Sequence, residues 1–164
     1  MDRRRFVARG LATCAALAWP AAFADPRALQ PGVDVCPYCS MAVIDGRFAA
    51  QGVTEGGRVL TYDAIECLLD HEAGHGPPPP TLRERWLSDR VASGRTSVAW
   101  LAADDAVLLH HPRLRTPMGG GLAAFATASA ADTFAASNRL SDASRLDWGE
   151  AAELAAQRPW VPPW

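Results

Sequence analysis

The residues best suited to chemistry stand in one short segment, Cys36-Pro-Tyr-Cys39-Ser-Met41. Its first four residues form a C-x-x-C dithiol of the kind found in glutaredoxin-like redox proteins. Its last three place a thiolate and a thioether two residues apart, and soft sulfur donors select Cu(I) over Zn, Mg or Ca. In a strand, positions i and i+2 face the same side, so Cys39 and Met41 would point at one ion if a strand begins near Cys39.

The redox interpretation requires a helix directly after the dithiol, because the positive end of the helix dipole lowers the pKa of the attacking thiol. The residues after Cys39 are instead Ser-Met-Ala-Val-Ile-Asp-Gly. Their β-branched side chains and the Asp-Gly pair predict a hairpin, so the dithiol lacks its usual activator. A structural disulfide between Cys36 and Cys39 is a further alternative.

A second sulfur motif lies downstream, at Thr116-Pro-Met118-Gly-Gly-Gly121. Three consecutive glycines leave a bare backbone that allows close approach, and a methionine is normally buried rather than displayed on such a loop. Met118 is therefore either a core residue or a third sulfur ligand beside Cys39 and Met41. The secondary candidate ligands are Cys36, His110 and His111.

A third pattern, His71-Glu-Ala-Gly-His75, matches the H-E-x-x-H motif of zinc proteases. That chemistry requires both histidines on a sustained helix and a third ligand downstream. Gly74, Gly76 and the prolines at 77–80 follow at once, so we expect a frayed, solvated helix end at this point.

The order of elements predicts an α+β protein built from two small related ββαβ-like modules packed into one compact body. Predicted strands on either side of Gly56-Gly57 lead into a helix capped by Asp63 and ending near Gly74. Strands at 97–101, 106–109 and 122–127 and a helix at 129–137 repeat that order. The predicted divisions are a signal peptide at 1–24, a lead-in at 25–35, a first module at 36–76, a Pro-rich spacer and linker at 77–96, a second module at 97–138 and a C-terminal segment at 139–164.

The first residues have the composition of an export signal. The arginines at 3–5 precede a charge-free run at 10–24 that ends in Ala-Phe-Ala, which predicts a cleaved, twin-arginine-like signal peptide. The run is too short for a transmembrane helix, so no transmembrane anchor is expected. The mature protein would then be periplasmic, and a lipoprotein attached through Cys14 is the alternative.

Charge and cysteine count narrow the function of the mature chain. The formal net charge is −2, and loss of four arginines and one aspartate with the leader makes it about −5. This acidity argues against nucleic acid or an anionic membrane as partner, because either requires a basic patch. Cys36, Cys39 and Cys67 remain after cleavage. An odd number leaves at least one thiol unpaired in an oxidising compartment, so we expect that thiol to be bound to a ligand.

Four blocks of the chain carry a resemblance to a known family: Cys36–Met41, Arg47–Gln51, Tyr62–Leu68 and Thr116–Ala126. In this order they resemble the NosL family, the copper chaperones of nitrous oxide reductase maturation. The similarity runs from Val35 to Asn138, which is most of the mature chain.

The resemblance implies a periplasmic Cu(I) carrier without enzymatic activity. It would receive copper from a membrane or periplasmic donor and deliver it to apo nitrous oxide reductase as the copper–sulfide centre is assembled. The implied ligands are Cys39, Met41 and Met118, and one thiolate with two weak thioethers would leave the ion open to incoming ligands. A thiol–disulfide oxidoreductase using the Cys-Pro-Tyr-Cys dithiol, or an assembly factor that carries no metal, are the alternatives.

Overall fold

The computed structural model describes residues 26–162, and both the predicted signal peptide and Cys14 lie outside that range. The described chain holds two antiparallel sheets and three α-helices. None of the helices in this part of the chain combines the length and the apolar character needed to cross a bilayer.

The first sheet has four antiparallel strands in the order β2-β1-β3-β4. Strand β1 is central and almost wholly buried, because β2 and β3 pair with its two edges. Helix α1 joins β2 to β3, and its residues are buried from Ile65 to His71. The elements are β1 (Ala50–Thr54), β2 (Val59–Tyr62), α1 (Ile65–Glu72), β3 (Leu82–Ser88) and β4 (Trp100–Ala102).

The second sheet repeats this topology with the order β6-β5-β7. In each sheet the first strand is central, the next two strands flank it, and a helix joins those two. The prediction of two ββαβ modules is thereby confirmed. The elements are β5 (Val107–His110), β6 (Leu122–Phe125), α2 (Ala128–Ser137), β7 (Ser144–Leu146) and α3 (Trp148–Gln157).

The two modules share one core. Leu68 from α1, Leu87 from the first sheet and Leu122 from the second sheet belong to a single cluster of buried side chains. A parallel bridge between Asp89 and Ala124 also connects the two sheets. Burial of apolar surface on both sides of α1 therefore holds the modules together.

The C-terminal residues after 139 are part of the fold. Strand β7 completes the second module, and helix α3 packs against α1. Asp147 and Glu150 form a reciprocal capping box that starts α3, with hydrogen bonds of 2.8 and 2.9 Å. The backbone N–H groups of Trp160 and Val161 then donate to Asp70 on α1, each at 2.8 Å.

Several predicted boundaries are wrong. The spacer at 77–96 contains β3, a strand of seven residues that pairs with both β1 and β4. The prolines end at residue 80. The charged run Arg83-Glu84-Arg85 does not show the apolar alternation of a typical strand, because these residues lie on a partly exposed part of the sheet. The strand predicted at 97–101 is β4 and belongs to the first sheet, whereas β7 of the second module lies in the predicted C-terminal segment.

The prediction that Asp63 caps α1 is also wrong. The N-cap of α1 is Ala64, and no side chain caps the helix there. Asp63 is instead buried, with its Oδ1 atom lacking a hydrogen-bond partner. The predicted helix end near Gly74 is confirmed, since α1 stops at Glu72 and Gly74 has φ +81°.

Two glycines allow a test of how tightly the loop before β6 is packed. Gly57 and Gly121 both have positive φ, but only at Gly121 would a Cβ overlap a backbone oxygen, that of His111. We expect Gly57→Ala to lower the free energy of unfolding by about 1 kcal/mol through backbone strain. Gly121→Ala should lower it by about 3 kcal/mol because overlap adds to the strain. Equal losses for the two variants in urea titrations would contradict this description of the loop.

Candidate metal centre

The segment Cys36–Met41 forms a tight turn. The Cys36 N–H donates to the Met41 carbonyl and the Ser40 N–H donates to the Cys36 carbonyl, both at 2.9 Å. Val35 and Ala42 pair just outside the turn as an isolated antiparallel bridge. The prediction of a strand beginning near Cys39 is wrong, because Ser40 has φ +63° and breaks the alternation that would align Cys39 with Met41.

This turn brings two cysteines against a third. Cys67 lies in the first turn of α1, and its sulfur joins those of Cys36 and Cys39 in a cluster with all three atoms within 4.8 Å of one another. The cysteines are free thiols. Cys36 and Cys67 are fully buried, while Cys39 is half-buried, so the cluster reaches solvent on the Cys39 side.

The three thiols share their protons unequally. The thiols of Cys39 and Cys67 donate to the Cys36 sulfur, which holds the pKa of Cys36 far below its ordinary value. Hydrogen bonding to Cys36 and then to Cys39 raises the pKa of Cys67, and the bond to Cys36 is also the largest cause of the raised pKa of Cys39. The three thiols therefore titrate as one coupled group. A thiophilic metal ion would displace protons from such a group.

Three carboxyl groups on α1 or just before it are destabilised in their charged forms. Burial raises the pKa of Asp63 to about 6, with smaller effects from Cys36 and then Asp45. Burial is also the main cause of the raised pKa values of Glu66 and Asp70 on α1. Burial likewise opposes the ionisation of all three thiols together, because desolvation acts to raise the pKa of each.

Aromatic and imidazole rings hold the helix end beside the turn. The Tyr62 hydroxyl donates to His71 Nδ1 at 3.1 Å, and His71 Nε2–H donates to the Pro78 carbonyl, also at 3.1 Å. Tyr38 stands between Cys36 and Cys39 in the sequence, and the centroid of its ring lies 6.1 Å from that of the His71 ring. His75 Nε2 lies 2.5 Å from the Ala155 carbonyl oxygen.

The zinc-protease interpretation therefore has no support from these histidines, since both imidazoles are bound to other protein groups. The expected helix end is present. The expectation that it is solvated is wrong for His71, which is buried because it fills the space between Tyr62 and the chain at Pro78.

The predicted thioether ligands have different surroundings. Met41 is 41% exposed at the end of the turn. Met118 is buried and belongs to the same apolar cluster as Cys36 and Cys67. The core interpretation of Met118 is therefore confirmed, and its role as a ligand stays a prediction.

The secondary histidine candidates lie apart from the thiols. His110 packs edge-on against Trp160 with ring centroids 5.0 Å apart. His111 is buried, its Nε2 is 2.8 Å from Asp142, and its Nδ1 accepts from the Arg113 N–H. Between residues 26 and 162, the three cysteines form the one group of His, Cys, Asp or Glu side chains close enough to hold a metal ion.

Cys67 is the member of the cluster that sequence reasoning did not assign as a ligand. It is separated from Cys39 by two strands and has no ligand-like spacing. The odd number of cysteines after leader removal was the signal that could have included it.

The raised pKa of Asp63 predicts a pH-dependent stability in the reduced, copper-free protein. A carboxyl with a raised folded pKa contributes fully below its unfolded pKa of about 3.9 and loses that contribution as pH rises through about 6. Asp63→Asn is neutral throughout, so we expect it to be about 2 kcal/mol more stable than wild type at pH 7.5. The difference should vanish near pH 4 in urea titrations.

Asp104→Asn is the matched control, because Asp104 is exposed on the short 3-10 turn Ala103–Asp105. That variant should follow the wild-type pH profile. A lower stability of Asp63→Asn at pH 7.5 would show that the Asp63 carboxylate stabilises the fold, which contradicts the argument.

Comparison with known proteins places the fold and the family. The crystal structure of the copper chaperone NosL from Shewanella denitrificans superposes with a TM-score of 0.63, covering 77% of this chain and 95% of that one at 14% identity. At that identity the match shows the fold. No curated protein matches the sequence. The sequence model of the NosL family matches residues 28–139, more than half of the chain, so the protein belongs to the NosL family.

Proposed function

We propose that this chain is a periplasmic copper chaperone that carries one Cu(I) ion to nitrous oxide reductase during maturation of that enzyme. The observation that supports this most directly is the cluster of three sulfur atoms within 4.8 Å, open to solvent at Cys39. Membership of the NosL family, a non-enzymatic family, and the fold shared with a solved copper chaperone support the same role.

The donor atoms favour Cu(I) over other ions. Thiolates and thioethers are soft ligands, which Cu(I) prefers and which Mg and Ca avoid. A closed zinc site requires four ligands in a tetrahedron, but the cysteine cluster has three thiols and no histidine within reach. Cu(I) is stable with three ligands or fewer, so the cluster matches it better than Zn.

Charge limits how many thiols bind copper as anions. Burial opposes the ionisation of each of the three thiols, since desolvation acts to raise the pKa of each. One or two thiolates with Cu(I) keep the site near neutrality, whereas three would add buried negative charge. We therefore propose Cys39 as the central ligand, assisted by the neighbouring thiols Cys36 and Cys67, with Met41 and Met118 as the neutral thioether donors.

Cys39 is the point at which copper would enter and leave. It is the only half-exposed thiol of the three, and the exposed Met41 lies beside it in the chain. An acceptor ligand can attack the ion from this side while the buried thiols keep it bound, so transfer proceeds by stepwise exchange of sulfur ligands. No side chain needs to form or break a covalent bond to the cargo.

The alternative of a thiol–disulfide oxidoreductase meets a physical obstacle. A redox dithiol needs an accessible thiolate as its nucleophile. Here the sulfur with the lowered pKa, Cys36, is fully buried, and the accessible Cys39 has a raised pKa. The hairpin predicted after Cys39 is absent, since an isolated bridge at Ala42 and a turn precede β1, but no helix directly follows Cys39 either.

Anaerobic titration of the reduced protein tests the copper site. We expect one equivalent of Cu(I) to bind in competition with a chromogenic chelator. Cys39→Ala should weaken binding most, by about 100-fold or more, since it removes the one sulfur ligand of the cluster that copper reaches from solvent. Met41→Ala and Met118→Ala should each weaken binding by about 10-fold, because thioethers are neutral donors.

Two further measurements complete this test. Cys67→Ala should cost more affinity than either methionine variant if the buried thiol assists Cys39, and Zn should bind far more weakly than Cu(I). Unchanged Cu(I) affinity in a variant lacking Cys39, Met41 and Met118 together would contradict the assignment. A variant that still binds Cu(I) but no longer transfers it to apo nitrous oxide reductase would show that copper delivery and copper binding depend on different residues.

The periplasmic location remains a proposal based on the leader. We expect intact-mass measurement of protein from a bacterial periplasmic fraction to give a chain beginning near Asp25, because Ala22-Phe23-Ala24 precedes it. A lipid-modified N-terminus at Cys14 would overturn this and indicate a lipoprotein.

A further inference from the structure

Glu66 is a buried carboxylic acid that is not among the proposed copper ligands. It lies in the first turn of α1 and has no exposed surface. Its Oε1 atom accepts from the Thr116 hydroxyl at 2.5 Å and from the Leu122 N–H at 3.2 Å, while its Oε2 atom is buried without a hydrogen-bond partner. An unpaired buried oxygen costs about 1–3 kcal/mol, a cost that an apolar side chain would avoid.

The two contacts of Glu66 stand at either end of the loop that carries Met118. The Thr116 hydroxyl also accepts from the Gly121 N–H at 3.2 Å, which closes the loop on itself. Gly120 passes so close to Glu66 that a Cβ at that position would overlap the carboxyl side chain. One carboxyl group therefore fixes the start, the middle and the end of this loop.

Glu66 is also the residue directly before Cys67. The same helical turn therefore carries the thiol that joins the cysteine cluster and the carboxyl that holds the loop of the second module. Because a buried helical turn is rigid, the position of Met118 relative to the thiols depends on the Glu66 hydrogen bonds.

We propose that Glu66 is a positioning residue that holds the Met118 thioether in place for copper bound at the cysteine cluster. This inference rests on the proposed function and on Met118 as a ligand. Glu66 itself does not bind the ion in this scheme. Its contribution to copper affinity passes wholly through Met118, and it depends on hydrogen-bond acceptance rather than on charge.

A double-mutant cycle with Cu(I) tests this in the reduced protein. Glu66→Gln should keep wild-type affinity within about twofold, because the amide oxygen accepts the same two hydrogen bonds. Glu66→Leu should weaken binding by about 10-fold or more, as partners that orient metal ligands usually do. Met118→Leu should give a similar loss, and the double variant Glu66→Leu, Met118→Leu should be no weaker than Met118→Leu alone.

Spectroscopy and a stability control distinguish positioning from general loosening of the fold. Copper X-ray absorption should show one sulfur fewer in Glu66→Leu, as in Met118→Leu. Leu140→Ala truncates a core residue of a separate cluster and should cost about 2–5 kcal/mol of stability without changing Cu(I) affinity. If Glu66→Leu does not fold, Thr116→Val removes the same contact more gently and should show the same non-additivity with Met118→Leu.

Each other outcome contradicts the inference in an identifiable way. Additive losses in the double variant would mean that Glu66 acts independently of Met118. A 10-fold loss in Glu66→Gln would mean that its charge, not its hydrogen bonding, matters. Unchanged affinity in Met118→Leu would overturn the inference, while copper carriage by the thiols would still stand on the loss seen in Cys39→Ala.

Discussion

The structure around the site depends on burying three thiols together, one of them on a helix whose own carboxyl groups, Glu66 and Asp70, are buried as well. Among the described residues, no ion pair or hydrogen bond joins a basic side chain to Asp63, Glu66 or Asp70. Burial therefore opposes negative charge in this part of the core, on the thiols as well as on the carboxyl groups. In the proposed function, a monovalent cation would offset the charge of one thiolate, and this supports the proposal of Cu(I) over a divalent ion.

The two modules have the same topology but contribute different parts. The first supplies the three thiols, from a turn before β1 and from the first turn of α1. The second supplies a glycine loop before β6 that reaches α1. Repetition of the ββαβ unit therefore forms the core, while the functional groups come from segments that the two modules do not share.

Most of the architecture was readable from the sequence because turns and helix ends are marked by local chemistry. Paired glycines, the alanine-rich segment of α2 and the prolines at 77–80 have effects that span a few residues only. Strand β3 was missed because its charged residues obscure the apolar alternation, and its role is set by pairing with β1, some thirty residues earlier in the chain. Such partners cannot be derived from local pattern.

The site was predictable in part for the same reason. Cys39 was identifiable because its neighbours in sequence are also its neighbours in space. The alignment of Cys39 with Met41 failed because a single residue, Ser40, adopts a left-handed backbone that no periodicity reveals. Cys67 and Glu66 reach the site through the packing of α1, which depends on the whole first sheet.

A copper carrier must satisfy two opposing requirements, and the gradient of exposure across the cluster serves both. Cys36 and Cys67 have no exposed surface, so a stray thiol cannot displace them, whereas Cys39 and Met41 are within reach of solvent. Affinity then depends on the buried side and exchange on the open side. A carrier built from exposed thiols alone would lose its ion to any competing thiol, and one built from buried thiols alone would release it too slowly. In the proposed mechanism, delivery therefore depends on the half-buried position of Cys39.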